Sequence, residues 1–134
     1  MNARPFLDSN ILVYVFSKGD PRTAIAERLL FDGGVISVQV LNEFVNVLQH
    51  KERRPWAEIR QGLISARALL DPPVQLTVKL HEKAVELAER YGFKIYECLI
   101  IAAALEAGCT TLYTEDLQHG QVVDGLTVRN PFIS

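Results

Sequence analysis

Residues 96–116 read YECLIIAAALEAGCTTLYTED. The run 98–105 is apolar throughout and Gly108 follows it. This predicts a strongly apolar helix over 96–107 that ends at the glycine. Thr111-Leu112-Tyr113 then predicts a short strand, with Thr114-Glu115-Asp116 at its carboxyl end. Helix into strand is one half of an α/β alternation, and the rest of the chain repeats it.

Towards the N-terminus, residues 4–7 predict a first strand that ends at Asp8, and 11–16 a short helix. Asp20-Pro21 starts a second helix, an N-cap acid followed by Pro at the first helical position, which runs to about 31. Asp32-Gly33-Gly34 stops it, and 35–36 is a short buried strand. Ser37 caps a helix over 38–50. Arg54-Pro55 breaks the pattern before a helix over 56–70. A strand over 74–77 precedes a helix over 79–91, closed by Gly92. Asp124-Gly125 is a turn and 126–128 the last strand. The alternation implies an α/β layered fold around a mostly parallel sheet of four to five strands, in one domain over 1–134. It does not give the strand order.

The 134 residues suffice for a sizeable core. With 49% hydrophobic and 22% charged residues, the chain is not of disordered type. Its net charge of -2 argues against binding nucleic acid by bulk charge, so any such contact needs a local basic patch or a metal. Cys98 and Cys109 fall near opposite ends of one helix, roughly 15 Å apart at the helical rise. That is too far for a disulfide, so two reduced thiols and a cytoplasmic protein are expected. Neither a secretory signal nor a membrane span is expected.

Asp8 and Asp116 both follow strands, at the edge where parallel sheets form their sites. Glu43 borders the apolar face of its helix, with Val40 and Val47 as neighbours. Glu97 stands in the first turn of the apolar helix. Four carboxylates at one edge stay ionised cheaply only with a cation, and oxygen ligands suit Mg²⁺ or Mn²⁺. Such an ion lowers the pKa of water and stabilises a leaving oxygen, which points to phosphodiester or phosphoryl chemistry. Each acid also has a purely structural alternative. Asp8 can be a helix cap, Glu97 a partner of the helix dipole and Asp116 a turn residue. Glu43 is the hardest to explain that way.

FLDSNILVY, the Glu in VLNEFVNVL, YECLIIAAALEAGCTTLYTEDLQHG and the closing GLTVRNPF together resemble the PIN-domain family, and within it the VapC-type toxins. The resemblance implies an α/β/α sandwich and a Mg²⁺- or Mn²⁺-dependent endoribonuclease. It also implies an antitoxin partner that blocks the acidic groove, and a homodimer. Carried over, Asp8, Glu43, Glu97 and Asp116 are the catalytic and metal-binding acids. Thr114 positions metal or water, and Asn10 lies near the same edge. Glu97 departs from the family pattern, which has Asp there. The added methylene moves the charge outward, and the expectation is a site tuned down or selective for Mn²⁺.

Arg53 and Arg54, with Lys51, could form a rim for RNA phosphates or simply a solvated surface. The three histidines show no metal spacing. Trp56 reads as a core or interface anchor. Three rivals remain. One is a PIN scaffold with weakened chemistry that serves as an interaction protein. Another is a phospho-acceptor receiver, which lacks an adjacent acidic pair after the first strand. The third is a phosphatase, whose second Asp is replaced here by Asn10.

Overall fold

The structure, a computed structural model, describes residues 4–133. The chain runs β1 (Phe6–Leu7), α1 (Ser9–Val15), α2 (Thr23–Asp32), α3 (Val38–His50), α4 (Trp56–Leu69), α5 (Val78–Tyr91), α6 (Ile95–Glu106), β2 (Thr111–Tyr113), β3 (Val122–Val123) and β4 (Leu126–Arg129). The sheet order is β1-β2-β4-β3. β1 pairs with β2 and β2 with β4 in parallel, and β3 pairs antiparallel with β4. With its helical layers the molecule is a three-layer α/β/α sandwich. α5 packs on α6, α1 on α2 and α3, and α3 on α4 and α6.

α6 is the central element. Its residues 98–104 are all buried, so no face is left for solvent, as its uniform apolarity requires. Both cysteines are free and buried. α3 and α5 start as side-chain caps dictate: Ser37 Oγ accepts from Val40 N and Thr77 Oγ1 from Leu80 N. α5 ends at Gly92, whose φ of 76° is left-handed.

Several boundaries differ from the sequence expectation. α1 starts at Ser9 rather than residue 11, because Asp8 itself is the N-cap and accepts from Ser9 N at 2.7 Å. α2 starts at Thr23 rather than Pro21: the Asp20 carboxylate takes the Arg22 N–H and holds a turn there. The strands expected at 35–36 and 74–77 are reduced to isolated parallel bridges, Phe6↔Val35 and Ser37↔Val74. Ser37 and Thr77 are needed as helix caps, so the backbone leaves the sheet direction at once. β3 was not anticipated. Its two valines are recruited by a two-residue turn in which Asp124 (φ 49°) and Gly125 (φ 87°) are both left-handed. Trp56 is about half exposed at the start of α4, not in the core.

Candidate active site

The parallel pairing of β1 and β2 aligns Leu7 with Tyr113, so both strands leave the sheet at the same edge. Asp8 N donates to Tyr113 O at 3.0 Å, and Thr114 Oγ1 donates to Asp8 Oδ2 at 2.8 Å. Thr114 is fully buried and Asp8 nearly so. The same hydroxyl accepts from Asp116 N at 3.1 Å and from Asn10 Nδ2 at 3.2 Å. Asn10 Nδ2 also reaches Asp116 Oδ2 at 3.1 Å. Thr114 therefore joins the two strand ends, and Asn10 holds Asp116, which is otherwise exposed.

α3 brings Glu43 to this edge, where its carboxylate accepts from Ser9 Oγ at 3.1 Å and Gln39 Nε2 at 3.2 Å. Gln39 is one turn before Glu43, the i,i+4 neighbour position. Glu97 comes from the first turn of α6 and accepts from Lys94 N at 3.2 Å. That bond is the acidic half of a capping box. The longer Glu side chain thus curls back to its own helix start. Asp8, Glu43, Glu97 and Asp116 together line one cavity of about 70 Å³, with Tyr96, Ile100 and Leu117. This is room for a few waters or a small ion, not for a nucleotide. A larger cavity, about 520 Å³, lies at the far end of α1 and carries no comparable convergence of acids.

Burial pushes the Asp8 carboxyl up to about 7. The bonds from Thr114 and Ser9 oppose the rise, and the charges of Glu43 and Asp116 add to it. A buried acid beside two others is a site that a cation would relieve. Among the described residues no three His, Cys, Asp or Glu side chains form a closed metal-holding group as they stand. An octahedral hard ion does not need one, since Mg²⁺ keeps several waters and takes one or two carboxylates. The donor set is all oxygen, and Asn10 Oδ1 is buried with no partner. The residues present therefore fit Mg²⁺ or Mn²⁺ and not a soft ion.

Of the two basic residues singled out, Arg53 is exposed and left-handed (φ 51°). Arg54 is occupied: it donates to Phe16 O at 2.6 Å and pairs with Glu52 and Glu58. It clamps the α3–α4 connection to the end of α1. None of the histidines lines the acidic cavity, and His119 Nδ1 accepts from Asn130 N.

One cluster had no signal in the sequence. Tyr14 OH donates to Glu115, next to Asp116. Arg22 lies over the Tyr14 ring at 4.0 Å, pairs with Asp20 at 2.8 Å and reaches Glu115 at 3.4 Å. Burial, then Glu115, raise the Tyr14 hydroxyl well above its usual range. This cluster straps the loop carrying Asp116 to α1 and α2. Glu115 lies 101 positions from Tyr14 and 93 from Arg22, and the β1–β2 pairing brings the two ends of the chain together. Tyr14→Phe removes the donor and keeps the ring. The expected result is a loss of about 1 kcal/mol of stability and weaker Mn²⁺ affinity, read by titration calorimetry. Unchanged affinity would mean that the strap does not position Asp116.

The PIN-domain family model matches residues 6–124. No curated protein matches the sequence. Solved structures that share the fold include the following three. Mycobacterium tuberculosis VapC20, described as a sarcin–ricin loop cleaving toxin, is 20% identical with a TM-score of 0.66, over 84% of this chain and 91% of that one. A toxin–antitoxin complex from Klebsiella pneumoniae gives 20% and 0.71, over 98% of both chains. VapBC2 from Rickettsia felis, bound to a DNA fragment from its promoter, gives 21% and 0.68, over 94% and 97%.

Proposed function

The chain belongs to the PIN-domain family, and from that premise we propose that it is a divalent-metal-dependent endoribonuclease, the toxin of a toxin–antitoxin pair. The observation that carries this reading is the convergence of Asp8, Glu43, Glu97 and Asp116 on one small cavity at the carboxyl edge of the sheet. Its solved neighbours include a toxin described as cleaving the sarcin–ricin loop and a toxin–antitoxin complex.

In this reading Asp8, Glu43, Glu97 and Asp116 would hold Mg²⁺ or Mn²⁺. When bound, the ion makes water a better nucleophile and stabilises the leaving oxygen of a phosphodiester. The chain's own contribution is positioning. Thr114 orients the Asp8 carboxylate through its hydroxyl, and Asn10 holds Asp116. Ser9 and Gln39 fix the two oxygens of Glu43. The surplus of negative charge repels RNA phosphates until a cation is present.

Of Arg53 and Arg54, Arg53 is the one available to an RNA backbone, since Arg54 is committed to the fold. Arg53→Glu should weaken RNA binding and reduce the salt slope by about 1. An unchanged slope would leave Arg53 as ordinary surface. The RNA substrate is tRNA or another structured RNA. An antitoxin protein, a homodimer and a cytoplasmic location belong to the same proposal. Among the described residues no helix is long and apolar enough to cross a membrane.

The test is incubation of the free chain with total tRNA in Mg²⁺, in Mn²⁺ and in chelator, with Asp116→Asn as control. Cleavage that needs metal and fails in the variant supports the nuclease. A folded chain that cuts under neither ion favours the second reading, a weakened scaffold.

The bond from Lys94 N to Glu97 is what favours that second reading. Glu97→Asp should cost about 0.5–1 kcal/mol of stability through the shortened cap. It should also tighten Mg²⁺ binding by releasing the carboxylate. Equal affinity in both forms would exclude the capping bond as a brake on the site.

A further inference from the structure

The loop between β2 and β3 carries Asp116 and is exposed from Gln118 to Gly120. Asp116 is exposed too, so its place depends on how the loop is held. The segment Asn130-Pro131-Phe132, which follows β4, meets this loop near both ends. Arg129 O accepts from Thr114 N at 3.0 Å, so β4 ends where the loop begins. Asn130 N then donates to His119 Nδ1 at 2.9 Å, three residues beyond Asp116.

Asn130 Oδ1 accepts from Phe132 N at 2.9 Å. That is an Asx turn, and Pro131 at its centre brings the fixed φ that suits a turn. The turn delivers Phe132 to Tyr14. The two rings meet edge-on, with centroids 5.1 Å apart and planes at 82°. Tyr14 in turn donates to Glu115, the residue before Asp116. Three consecutive residues thus grip the loop at 119 directly and at 115 through Tyr14, with Asp116 between. The sheet does not need these contacts, because the β2–β4 ladder is complete at Arg129.

We propose that the segment 130–132 is a latch that holds Asp116 in its metal-receiving position through Tyr14 and Glu115, so that latch docking and metal binding are coupled. The inference rests on the metal-site reading above and deepens it, assigning Phe132 and Asn130 as positioning residues. A hard octahedral ion tolerates little error in its ligand distances. Opening the latch frees the loop on both sides of one ligand and weakens the ion's hold. Linkage makes the effect reciprocal: whatever factor the closed latch adds to metal affinity, the bound metal adds to latch closure.

The experiment measures Mn²⁺ affinity of the full chain by electron paramagnetic resonance, alongside thermal melting in chelator. Phe132→Ala should weaken Mn²⁺ binding about fivefold, the equilibrium equivalent of one edge-on ring pair. Phe132→Tyr keeps a ring and should restore it. Asn130→Ala loses the turn and should weaken binding in the same direction. Tyr14→Phe keeps the ring pair but cuts the bond to Glu115, and in that background Phe132→Ala should cost less than about twofold. Saturating Mg²⁺ should slow hydrogen exchange of the wild-type Asn130 amide by about fivefold, read by nuclear magnetic resonance.

Equal Mn²⁺ affinity for wild type and Phe132→Ala, with binding still lost in Asp116→Asn, overturns the latch and leaves the metal site standing. Absence of Mn²⁺ binding by the wild-type chain overturns both. A lower melting temperature for Phe132→Ala at unchanged Mn²⁺ affinity assigns the ring to packing alone and overturns the latch. The full Phe132→Ala loss in the Tyr14→Phe background overturns the route through Glu115. Should Phe132→Ala fail to fold, the wild-type Asn130 amide decides, and an exchange rate indifferent to Mg²⁺ overturns the coupling.

Discussion

Asp8→Asn should lower RNA cleavage by about 10³-fold while leaving the fold intact. An ion's stabilisation of a transition state is of several kcal/mol, and losing it costs that order of rate. The fold survives because Asn keeps an oxygen for Ser9 N, and the Thr114 hydroxyl can turn to accept from the new amide. The same substitution should stabilise the metal-free protein. Burial pushes the Asp8 carboxyl up to about 7 in the folded chain, from an ordinary 3.8. A carboxyl raised in this way contributes stability that is fully present below pH 4 and is lost as pH rises through about 7. The loss is on the order of 4 kcal/mol when complete. In chelator, the melting temperature of the wild-type chain should therefore fall from pH 5 to pH 8, and that of Asp8→Asn should fall less. Mg²⁺ should raise the midpoint of the wild type and not of the variant. A variant that melts lower than wild type in chelator at pH 8 would show that the Asp8 charge is compensated without metal.

Phe44→Ala should be the most damaging core change near the site. Phe44 is fully buried on α3, one residue from Glu43, and its ring meets Phe16 edge-on with centroids 5.6 Å apart. Gly62 on α4 makes room for it: a Cβ there would stand 2.9 Å from Phe44 Cζ and 3.2 Å from Cε2. Truncation to Ala should cost about 3–5 kcal/mol, seen as a fall of roughly 10–20 °C in the melting temperature. Gly62 gives a sharper check. Gly62→Ala in the wild-type chain pushes a methyl against the ring and should destabilise. In the Phe44→Ala background the obstruction is gone, and the better helix former should stabilise by up to about 1 kcal/mol. A Gly62→Ala effect of the same sign in both backgrounds would show that the ring does not set the spacing of α3 and α4.

What the sequence made legible follows from where its signals are local. α3 and α5 were readable within a residue because Ser37 and Gly92 act on their own neighbours. The 35–36 and 74–77 segments were misread as strands because their apolar pattern is real. Each is claimed within two or three residues by a helix cap that apolarity does not report. The four acids were readable from position: two follow strands, one borders an apolar face and one sits in a first turn. All four line a single cavity. Hidden were the relations between distant residues. Arg54 looked like a rim residue and proved to be a clamp, because its partner Phe16 O lies 38 positions away. The Tyr14–Glu115–Arg22 strap was invisible for the same reason.

The β1–β2 pairing has a consequence for synthesis. Asp8 leaves the ribosome early, whereas Thr114 and Asp116 emerge only after more than a hundred further residues. Closing so long a loop is slow, and the pairing that aligns Leu7 with Tyr113 is among the least local in the chain. A nascent chain that has not released β2 has no Thr114 beside Asp8. A chain truncated before residue 111 should therefore be harmless to the cell that makes it, whatever the full chain does to RNA.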